Sequence, residues 1–171
     1  MPRYVALLRG VSPMNAKMPA LKHCFEQAGF TNVRTLLSSG NVAFDAPKQA
    51  ELALASHVEA AMAQSLGRSF WTLVRPAAHL QALLQADPFA RFGLPAGMKK
   101  VVTFLREPAA GVFALPVEDN GARILAMQGL EIYTAYTPIP GSPVFMALLE
   151  KTFGTALTTR SWETVKKCAA A

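Results

Sequence analysis

The sequence predicts an α+β protein in which two halves, each built from strands and helices, pack as one compact unit. Three observations lead to this prediction: an unbroken apolar run of strand length near the start, apolar residues at helical spacing in several segments, and short turn sequences between strand-like runs. The 171 residues are enough for one domain or for two small halves that share a core. We therefore expect residues 1–171 to form a single domain, with halves at 1–75 and 76–171.

Six segments of the first half are predicted to be strands or helices. Tyr4–Leu8 is apolar without alternation, which predicts a strand buried on both faces. Arg9–Ala20 is expected to be a loop, because a glycine, an asparagine and two prolines interrupt it. The next helix is predicted from apolar residues at i, i+3, i+4 and i+7, which are Leu21, Cys24, Phe25 and Ala28. The remaining segments are strands at Thr31–Leu37, Asn41–Asp45 and Phe70–Arg75, and a helix at Gln49–Leu66. The resulting βαββαβ order is that of a ferredoxin-like unit.

The second half is a degenerate form of the same order, β-(α)-ββ-α, with an additional C-terminal helix. Pro76 suits the first turn of a short helix that runs to Gln85, and Glu107–Val117 is expected to be a helix interrupted by Gly111. Gln128-Gly129 is the predicted two-residue turn of a β-hairpin. The other predicted strands are Lys99–Leu105, Arg123–Met127 and Leu130–Tyr136. Ser142 is the predicted N-cap and Pro143 the first helical residue before a helix at Val144–Phe153, and a last helix is predicted at Trp162–Cys168.

Composition and charge limit the class of protein. Hydrophobic residues make up 51% and charged residues 16%, which supplies a core and argues against general disorder. No apolar run reaches the roughly 18 residues that span a bilayer, and the short apolar run that ends at Arg9 is unlike a signal peptide. We therefore expect a cytoplasmic protein without a membrane segment. Cys24 and Cys168 are far apart and belong to no metal-ligand spacing, and Cys24 on an apolar helix face is typical of a buried structural thiol.

Four segments together carry a resemblance to a known family. They are Tyr4–Val11, Ser39–Val42, Asp87–Phe89 and Leu157–Val165. With these segments in this order, nearly the whole chain resembles the bacterial family known as domain of unknown function 1697. The resemblance implies an α+β fold with ferredoxin-like halves, and it implies no established activity.

The chain departs from the pattern of that family at three places. Ser12-Pro13-Met14 stands where the family usually has Asn and a Gly-rich turn, Ser38 where it often has Gln, and Ser161 where the C-terminal motif usually has Asn. A site that depended on those amide side chains would be weakened or lost in this chain.

A binding site for a small anionic ligand, bearing phosphate or carboxylate, is the leading functional interpretation. The net charge of +6 favours anionic partners. Arg9 and Gly10 leave a buried strand and run toward a helix N-terminus, where backbone N–H groups and the helix dipole attract anions. The polar turn of Ser39, Gly40 and Asn41 would add donors if the first and third strands are neighbours.

The C-terminal motif supplies the other candidate ligand-binding residues. Thr159 and Arg160 precede the last helix and are expected to converge on the same place as Arg9. Trp162, which begins that helix, completes the set, although its position is also typical of a core anchor. All these residues have a structural interpretation as well: the Ser39–Asn41 turn closes a hairpin, Arg9 pairs with a carboxylate, and Thr159 or Ser161 caps the last helix.

Two other chemistries find little support in the sequence. RNA-recognition sheets stack bases on aromatic residues of two strands, whereas here the first strand has only Tyr4 and the third only Phe44, which argues against nucleic acid as a partner. The histidines His23, His57 and His79 lie in separate helical segments without metal-ligand spacing. The sequence therefore predicts no metal and no cofactor, and it identifies no catalytic residue.

The leading interpretation is a binding module for a small anion, of uncharacterised biological role and either monomeric or homodimeric. Two other classes stay open. An enzyme that acts on a phosphorylated or acyl substrate would show a bell-shaped pH–rate profile. A protein–protein interaction module would show a concentration-dependent mass in solution and no stabilisation by ligands.

Overall fold

The structure of the chain is a computed structural model that describes residues 1–109, 114–138 and 144–171. These residues divide into two compact units, one of Met1–Gln85 with Lys166–Ala171 and one of Ala86–Val165. The first unit thus runs to Gln85 and includes the last six residues of the chain. A single domain with halves at 1–75 and 76–171 stays a prediction. Helices and two antiparallel sheets confirm the α+β class.

The first unit contains the predicted order of six elements, followed by one more helix. Its elements are β1 (Arg3–Leu8), α1 (Met18–Gln27), β2 (Thr31–Leu36), β3 (Asn41–Asp45), α2 (Glu51–Leu66), β4 (Thr72–Pro76) and α3 (Ala77–Ala86). The strands form a four-stranded antiparallel sheet in the order β2-β3-β1-β4. The first and third strands are thus neighbours, as the sequence predicts, whereas the finer ferredoxin-like assignment of both halves stays a prediction.

Strand β1 lies at the centre of this sheet because its side chains can be buried on both faces. Every residue of Tyr4–Leu8 is at most 3% exposed. Tyr4, Ala6 and Leu8 alternate along the strand and belong to one core cluster, together with Val42 and Phe44 of β3. The non-alternating apolar run in the sequence therefore predicted the position of this strand correctly.

Helices α1 and α2 supply the other side of that core. Leu21, Cys24 and Phe25 of α1 are buried, as their spacing predicts, and α2 adds Leu54 and Met62. Gly67 ends α2 in the left-handed conformation that glycine adopts most readily. Within the described part of the chain, no helix combines the length and the apolar content needed to cross a membrane.

The second unit is built on a larger sheet. Its elements are a short 3-10 turn (Ala90–Phe92), β5 (Lys99–Leu105), β6 (Val117–Asp119), β7 (Ala122–Gln128), β8 (Glu131–Tyr136), α4 (Val144–Phe153), β9 (Leu157–Ser161) and the start of α5 (Trp162–Ala169). The five antiparallel strands have the order β6-β7-β8-β5-β9. Leu105, Ile132 and Leu157 of the sheet pack in one core cluster with Leu149 of α4.

The helix predicted at Glu107–Val117 is wrong over its described residues. Residues 107–109 and 114–116 are not helical, and β6 begins at Val117, which pairs with Ile124. Pro108 and Pro116 oppose a continuous helix, because proline lacks the N–H that the helix needs. Gly111 lies outside the described residues, as do the predicted cap Ser142 and Pro143 of the next helix.

Two further details of the second unit differ from the sequence predictions. Leu157–Ser161, for which the sequence analysis predicted no strand, forms β9 and pairs with β5. The hairpin turn is shifted by one residue, because Gln128 pairs with Glu131 and leaves Gly129 and Leu130 in the turn. Gly129 has a positive φ of 60° there, which its missing side chain permits.

Candidate functional site

The candidate site in the first unit lies at the end of the sheet where β1 stops and β3 and β4 start. The Leu8 N–H donates to the Gly40 carbonyl over 2.8 Å, and the Arg9 N–H donates to the Trp71 carbonyl over 2.9 Å. Arg9 thus continues the β1–β4 register, in which Leu8 pairs with Thr72. We call this region the Arg9 edge and define it as Arg9, Gly10, Ser38–Gly40 and Trp71.

Gly40 allows the turn to approach β1 closely. It has a positive φ of 84°, and a Cβ at this position would lie 3.0 Å from the Cβ atoms of Leu8 and Val11 and 3.1 Å from the Leu8 carbonyl oxygen. Real Cβ atoms seldom approach other atoms so closely, so a side chain would force the turn away from β1. Glycine therefore holds Ser39 at the same end of the sheet as Arg9.

Asn41 organises this turn from inside the protein. Its side chain is fully buried, and its Nδ2 donates to the Leu36 carbonyl at 3.2 Å and to Ser39 Oγ at 3.1 Å. The bond to Leu36 joins β3 to β2 and the bond to Ser39 fixes the turn, in agreement with the structural interpretation of the motif. Ser38 and Ser39 remain exposed, so the turn presents serine groups to solvent while Asn41 fixes its shape.

The loop after Arg9 is closed by its own hydrogen bonds. Asn15 accepts the Ser12 N–H at 2.9 Å through Oδ1 and donates to the Gly10 carbonyl at 2.8 Å through Nδ2. The Met14 N–H donates to Ser12 Oγ at 3.2 Å. Ser12-Pro13-Met14 is therefore part of a hydrogen-bonded turn in this chain.

The positive charge of the chain is concentrated in the first unit. This unit holds ten basic and four acidic residues, whereas the second unit holds seven of each. The whole excess of six positive charges therefore belongs to the unit that carries the Arg9 edge. Arg9 is one of the exposed basic residues of this unit.

The C-terminal motif is placed by β9 and α5 in the second unit. Arg160 Nη1 donates to Thr158 Oγ1 and to the Thr159 carbonyl, both at 2.8 Å, so its guanidinium is held against its own strand. Ser161 caps α5, because its Oγ accepts the Thr164 N–H at 3.2 Å. This agrees with the structural interpretation of Ser161.

Trp162 lies in a buried aromatic cluster of the second unit. It is 6% exposed, and its ring contacts Phe89 edge-on with the centroids 5.1 Å apart. Phe89 also contacts Tyr133 at 5.8 Å, and it is positioned by Asp87, whose Oδ1 accepts the Phe89 N–H at 3.3 Å. The segments Asp87–Phe89 and Leu157–Val165 thus meet in this core.

The same cluster contains a tyrosine that stays protonated over the ordinary pH range. Burial, and to a smaller degree the neighbouring Glu131 carboxylate, raise the pKa of Tyr133 to about 12. At neutral pH its hydroxyl is therefore a hydrogen-bond donor or acceptor and does not act as an anionic base.

The structure thus divides the predicted site residues between the two units. Arg9, Gly10, Ser39, Gly40 and Asn41 come together in the first unit, whereas Thr159, Arg160 and Trp162 belong to the second. The predicted convergence of the two groups stays a prediction. The sequence analysis missed Trp71, because its place opposite Arg9 depends on strand register rather than on any local pattern.

A cleft of about 610 Å³ also lies between α1 and α2 of the first unit. Its lining contains no lysine, arginine, aspartate or glutamate and consists of Cys24, Gln27, Ala28, His57, Ala60, Ala61, Gln64 and Ser65. Burial raises the pKa of the Cys24 thiol against a smaller opposing effect of Ser65. Cys24 is only 1% exposed, so its burial and its raised pKa both oppose a role as nucleophile.

Metal ligands are not clustered in the described part of the chain. Residues 1–109, 114–138 and 144–171 contain no group of three or more histidine, cysteine, aspartate or glutamate side chains placed to hold an ion.

Comparisons with known proteins agree with the observed fold. A solved structure described as the conserved bacterial protein SP0830 from Streptococcus pneumoniae aligns with a TM-score of 0.72 at 19% sequence identity, covering 99% of this chain and 97% of the other. At this identity the match supports the fold alone. No curated protein matches the chain. The family model described as "Protein of unknown function (DUF1697)" matches residues 1–133, and the chain belongs to that family.

Proposed function

We propose that the protein is a binding module for a small anionic ligand, which it holds at the Arg9 edge. The observation that carries the proposal is the position of Arg9. It is an exposed arginine that follows a buried central strand, and its backbone is fixed by the bond to Trp71. An exposed serine turn lies at the same end of the sheet.

The chemistry of these groups suits phosphate or carboxylate. A guanidinium presents several N–H donors in a planar fork that matches two oxygens of an anion. The hydroxyl of Ser39 is a further donor to such oxygens, and the exposed Gly10 lets a ligand come close to the backbone. The six excess positive charges of the first unit would raise the local concentration of anions.

The buried groups around the turn would give this site its rigidity. Asn41 ties the turn to β2, and Gly40 seats it against Leu8 and Val11. A turn that is already fixed loses little conformational entropy when a ligand binds. In this proposal Asn41 and Gly40 position the donors, while Arg9 and Ser39 contact the ligand.

The C-terminal motif enters the proposal as a separate contribution. Thr159 and Arg160 are proposed to contribute to anion binding, with Arg160 as the donor, and Trp162 is proposed to act only by anchoring the start of α5 in its aromatic core. An Arg160→Ala variant tests this contribution on its own, because Arg9 is unchanged in it. Weaker anion binding supports a role for the motif, and unchanged binding restricts the site to the Arg9 edge.

A thermal-shift screen tests the proposed function. The native protein and Arg9→Ala are heated with inorganic phosphate, pyrophosphate, small carboxylates and phosphorylated metabolites, each against potassium chloride of equal ionic strength. A ligand present at about 100 times its dissociation constant stabilises the native state by about 2.7 kcal/mol, which is a shift of several degrees. We expect such a shift in the native protein and its loss in Arg9→Ala.

Lys48→Ala is the matched control for this screen. Lys48 is also exposed and basic, but it follows β3 at the opposite end of the sheet from the turn. The control should keep the shift, because it loses the same charge outside the Arg9 edge. No ligand-specific shift in the native protein, or an equal loss in both variants, contradicts the proposed site.

A further inference from the structure

We propose that the anion bound at the Arg9 edge is joined to a flat aromatic ring, as in a mononucleotide, and that this ring stacks on Trp71. The inference rests on the proposed function and adds the ligand class. Its basis is the cross-strand pairing of Arg9 with Trp71.

The register of the sheet makes Arg9 and Trp71 direct neighbours. Leu7 pairs with Leu73 and Leu8 with Thr72, and the bond from the Arg9 N–H to the Trp71 carbonyl continues the ladder by one step. Paired residues on antiparallel strands extend to the same face, with Cβ atoms about 5 Å apart. The guanidinium of Arg9 and the indole of Trp71 are therefore attached at adjacent positions of two paired strands.

Trp71 is also the accessible tryptophan of the chain. The sequence contains two tryptophans: Trp162 is 6% exposed and packed against Phe89, whereas Trp71 is partly exposed. Trp71 is therefore the more accessible of the two tryptophans, and its exposed part is the surface proposed to contact the ligand ring.

Exposed apolar side chains occur in the two loops that border this edge. Among the described residues, the exposed large hydrophobic side chains are Met1, Met14, Leu37 and Leu52. Met14 is 93% exposed in the loop after Arg9, and Leu37 is 45% exposed in the turn before Ser38. A ligand with both an apolar ring and a charged group would bury part of this surface, whereas a bare anion would not.

The size of the expected effect follows from stacking. A base stacked on an aromatic side chain binds roughly 10- to 100-fold more tightly than one without that contact. Recognition by stacking tolerates different bases, because every base has a π-face. We therefore expect a preference for a ring over no ring rather than a preference for one particular base.

Four probes separate the contributions of ring and anion. Adenosine monophosphate carries both, ribose 5-phosphate has the sugar and phosphate, inorganic phosphate has only the anion, and adenosine has only the ring. Dissociation constants are measured by calorimetry, and quenching of Trp71 fluorescence is followed in a Trp162→Phe background. We expect adenosine monophosphate to bind at least about tenfold more tightly than ribose 5-phosphate and to quench Trp71.

Variants assign that preference to Trp71. Trp71→Leu should remove the preference and leave ribose 5-phosphate binding unchanged, while Trp71→Phe should keep part of it because a ring remains. Arg9→Ala should weaken the binding of adenosine monophosphate, ribose 5-phosphate and inorganic phosphate by a similar factor.

The outcomes distinguish the two proposals. Equal affinity for adenosine monophosphate and ribose 5-phosphate in the native protein overturns the ring inference and leaves anion binding intact. A ring preference that survives in Trp71→Leu overturns the assignment to Trp71. Failure of every phosphate-bearing probe to bind overturns the ring inference, and together with no shift from any anion in the thermal-shift screen it contradicts the proposed function itself.

Discussion

Replacing Gly40 by alanine should destabilise the first unit far more than replacing Gly10, although both glycines have nearly the same backbone conformation. Gly40 has a φ of 84° and Gly10 a φ of 83°. A Cβ on Gly40 would lie 3.0 Å from Leu8 Cβ and 3.1 Å from the Leu8 carbonyl oxygen, whereas a Cβ on Gly10 would meet nothing within 4 Å. The pair therefore separates steric overlap from backbone strain.

The loss of unfolding free energy in each variant follows from the backbone strain and from those distances. A left-handed conformation costs an alanine about 1–2 kcal/mol, partly offset by the lower entropy of the unfolded chain, so Gly10→Ala should lose about 1 kcal/mol of unfolding free energy. Gly40→Ala carries the same strain and also overlaps with buried backbone and Cβ atoms, which cannot move as a flexible side chain can. Overpacking of this kind adds about 1–3 kcal/mol, for a total of about 2–4 kcal/mol.

Urea unfolding followed by Trp71 fluorescence measures this difference. Trp162→Phe is the common background, so that the signal reports the first unit alone. Equal losses in the two variants, within about 0.5 kcal/mol, would refute the close approach of the turn to β1. Gly29→Ala is a second open-space control, because its φ is 97° and nothing lies within 4 Å of its Cβ position.

Two further predictions concern polar contacts away from the Arg9 edge. Hydrogen bonds from Arg3 and Asn32 hold the pKa of Asp45 below its ordinary value, with Arg3 the larger cause. The stability from this carboxylate is therefore present above the unfolded-state pKa and is lost as the pH falls below about 4. Arg3→Ala should flatten that part of the stability–pH curve measured by urea unfolding, and a curve identical to the native one would contradict the pairing. Ser161→Ala should lower the free energy of unfolding in urea by about 1 kcal/mol, because it removes the cap of α5. Ser161→Asp, which keeps a capping oxygen, should lose much less. If Ser161→Ala is as stable as the native protein, the cap contributes nothing.

The elements that the sequence predicted well are those whose pattern is local. The unbroken apolar run at Tyr4–Leu8 and the helical spacing of Leu21, Cys24 and Phe25 each describe burial that the element achieves by itself. Lys99–Leu105 and Val144–Phe153 have the predicted bounds for the same reason, since their apolar residues are dense and the flanking residues break the pattern.

Strand β9 could not be found in this way. Leu157–Ser161 is polar after its first residue, so it shows neither an apolar run nor a clear alternation. Its strand conformation depends on pairing with β5, more than fifty residues earlier, and such long-range pairing is not visible in a local window. The β-branched Thr158 and Thr159 were the one local indication of a strand.

The candidate site shows the same limit. The sequence identified Arg9 and the Ser39–Asn41 turn as polar residues beside buried strands, and the neighbouring positions of β1 and β3 followed from the βαββαβ order. It could not show that Asn41 is buried and bonded within the turn, nor that Trp71 faces Arg9. Both depend on the register of paired strands, which a single residue shift would change.

Calorimetric titration of inorganic pyrophosphate into the native protein, Arg9→Ala and Lys48→Ala at constant ionic strength tests anion binding at the Arg9 edge most directly. Hydrogen bonds from a charged donor contribute about 1.5–3 kcal/mol, so the dissociation constant should rise roughly 10- to 150-fold in Arg9→Ala. In Lys48→Ala it should stay within about twofold of the native value, because a single exposed charge outside the site is largely screened. No measurable binding to the native protein, or equal weakening in the two variants, would contradict a specific anion site at Arg9.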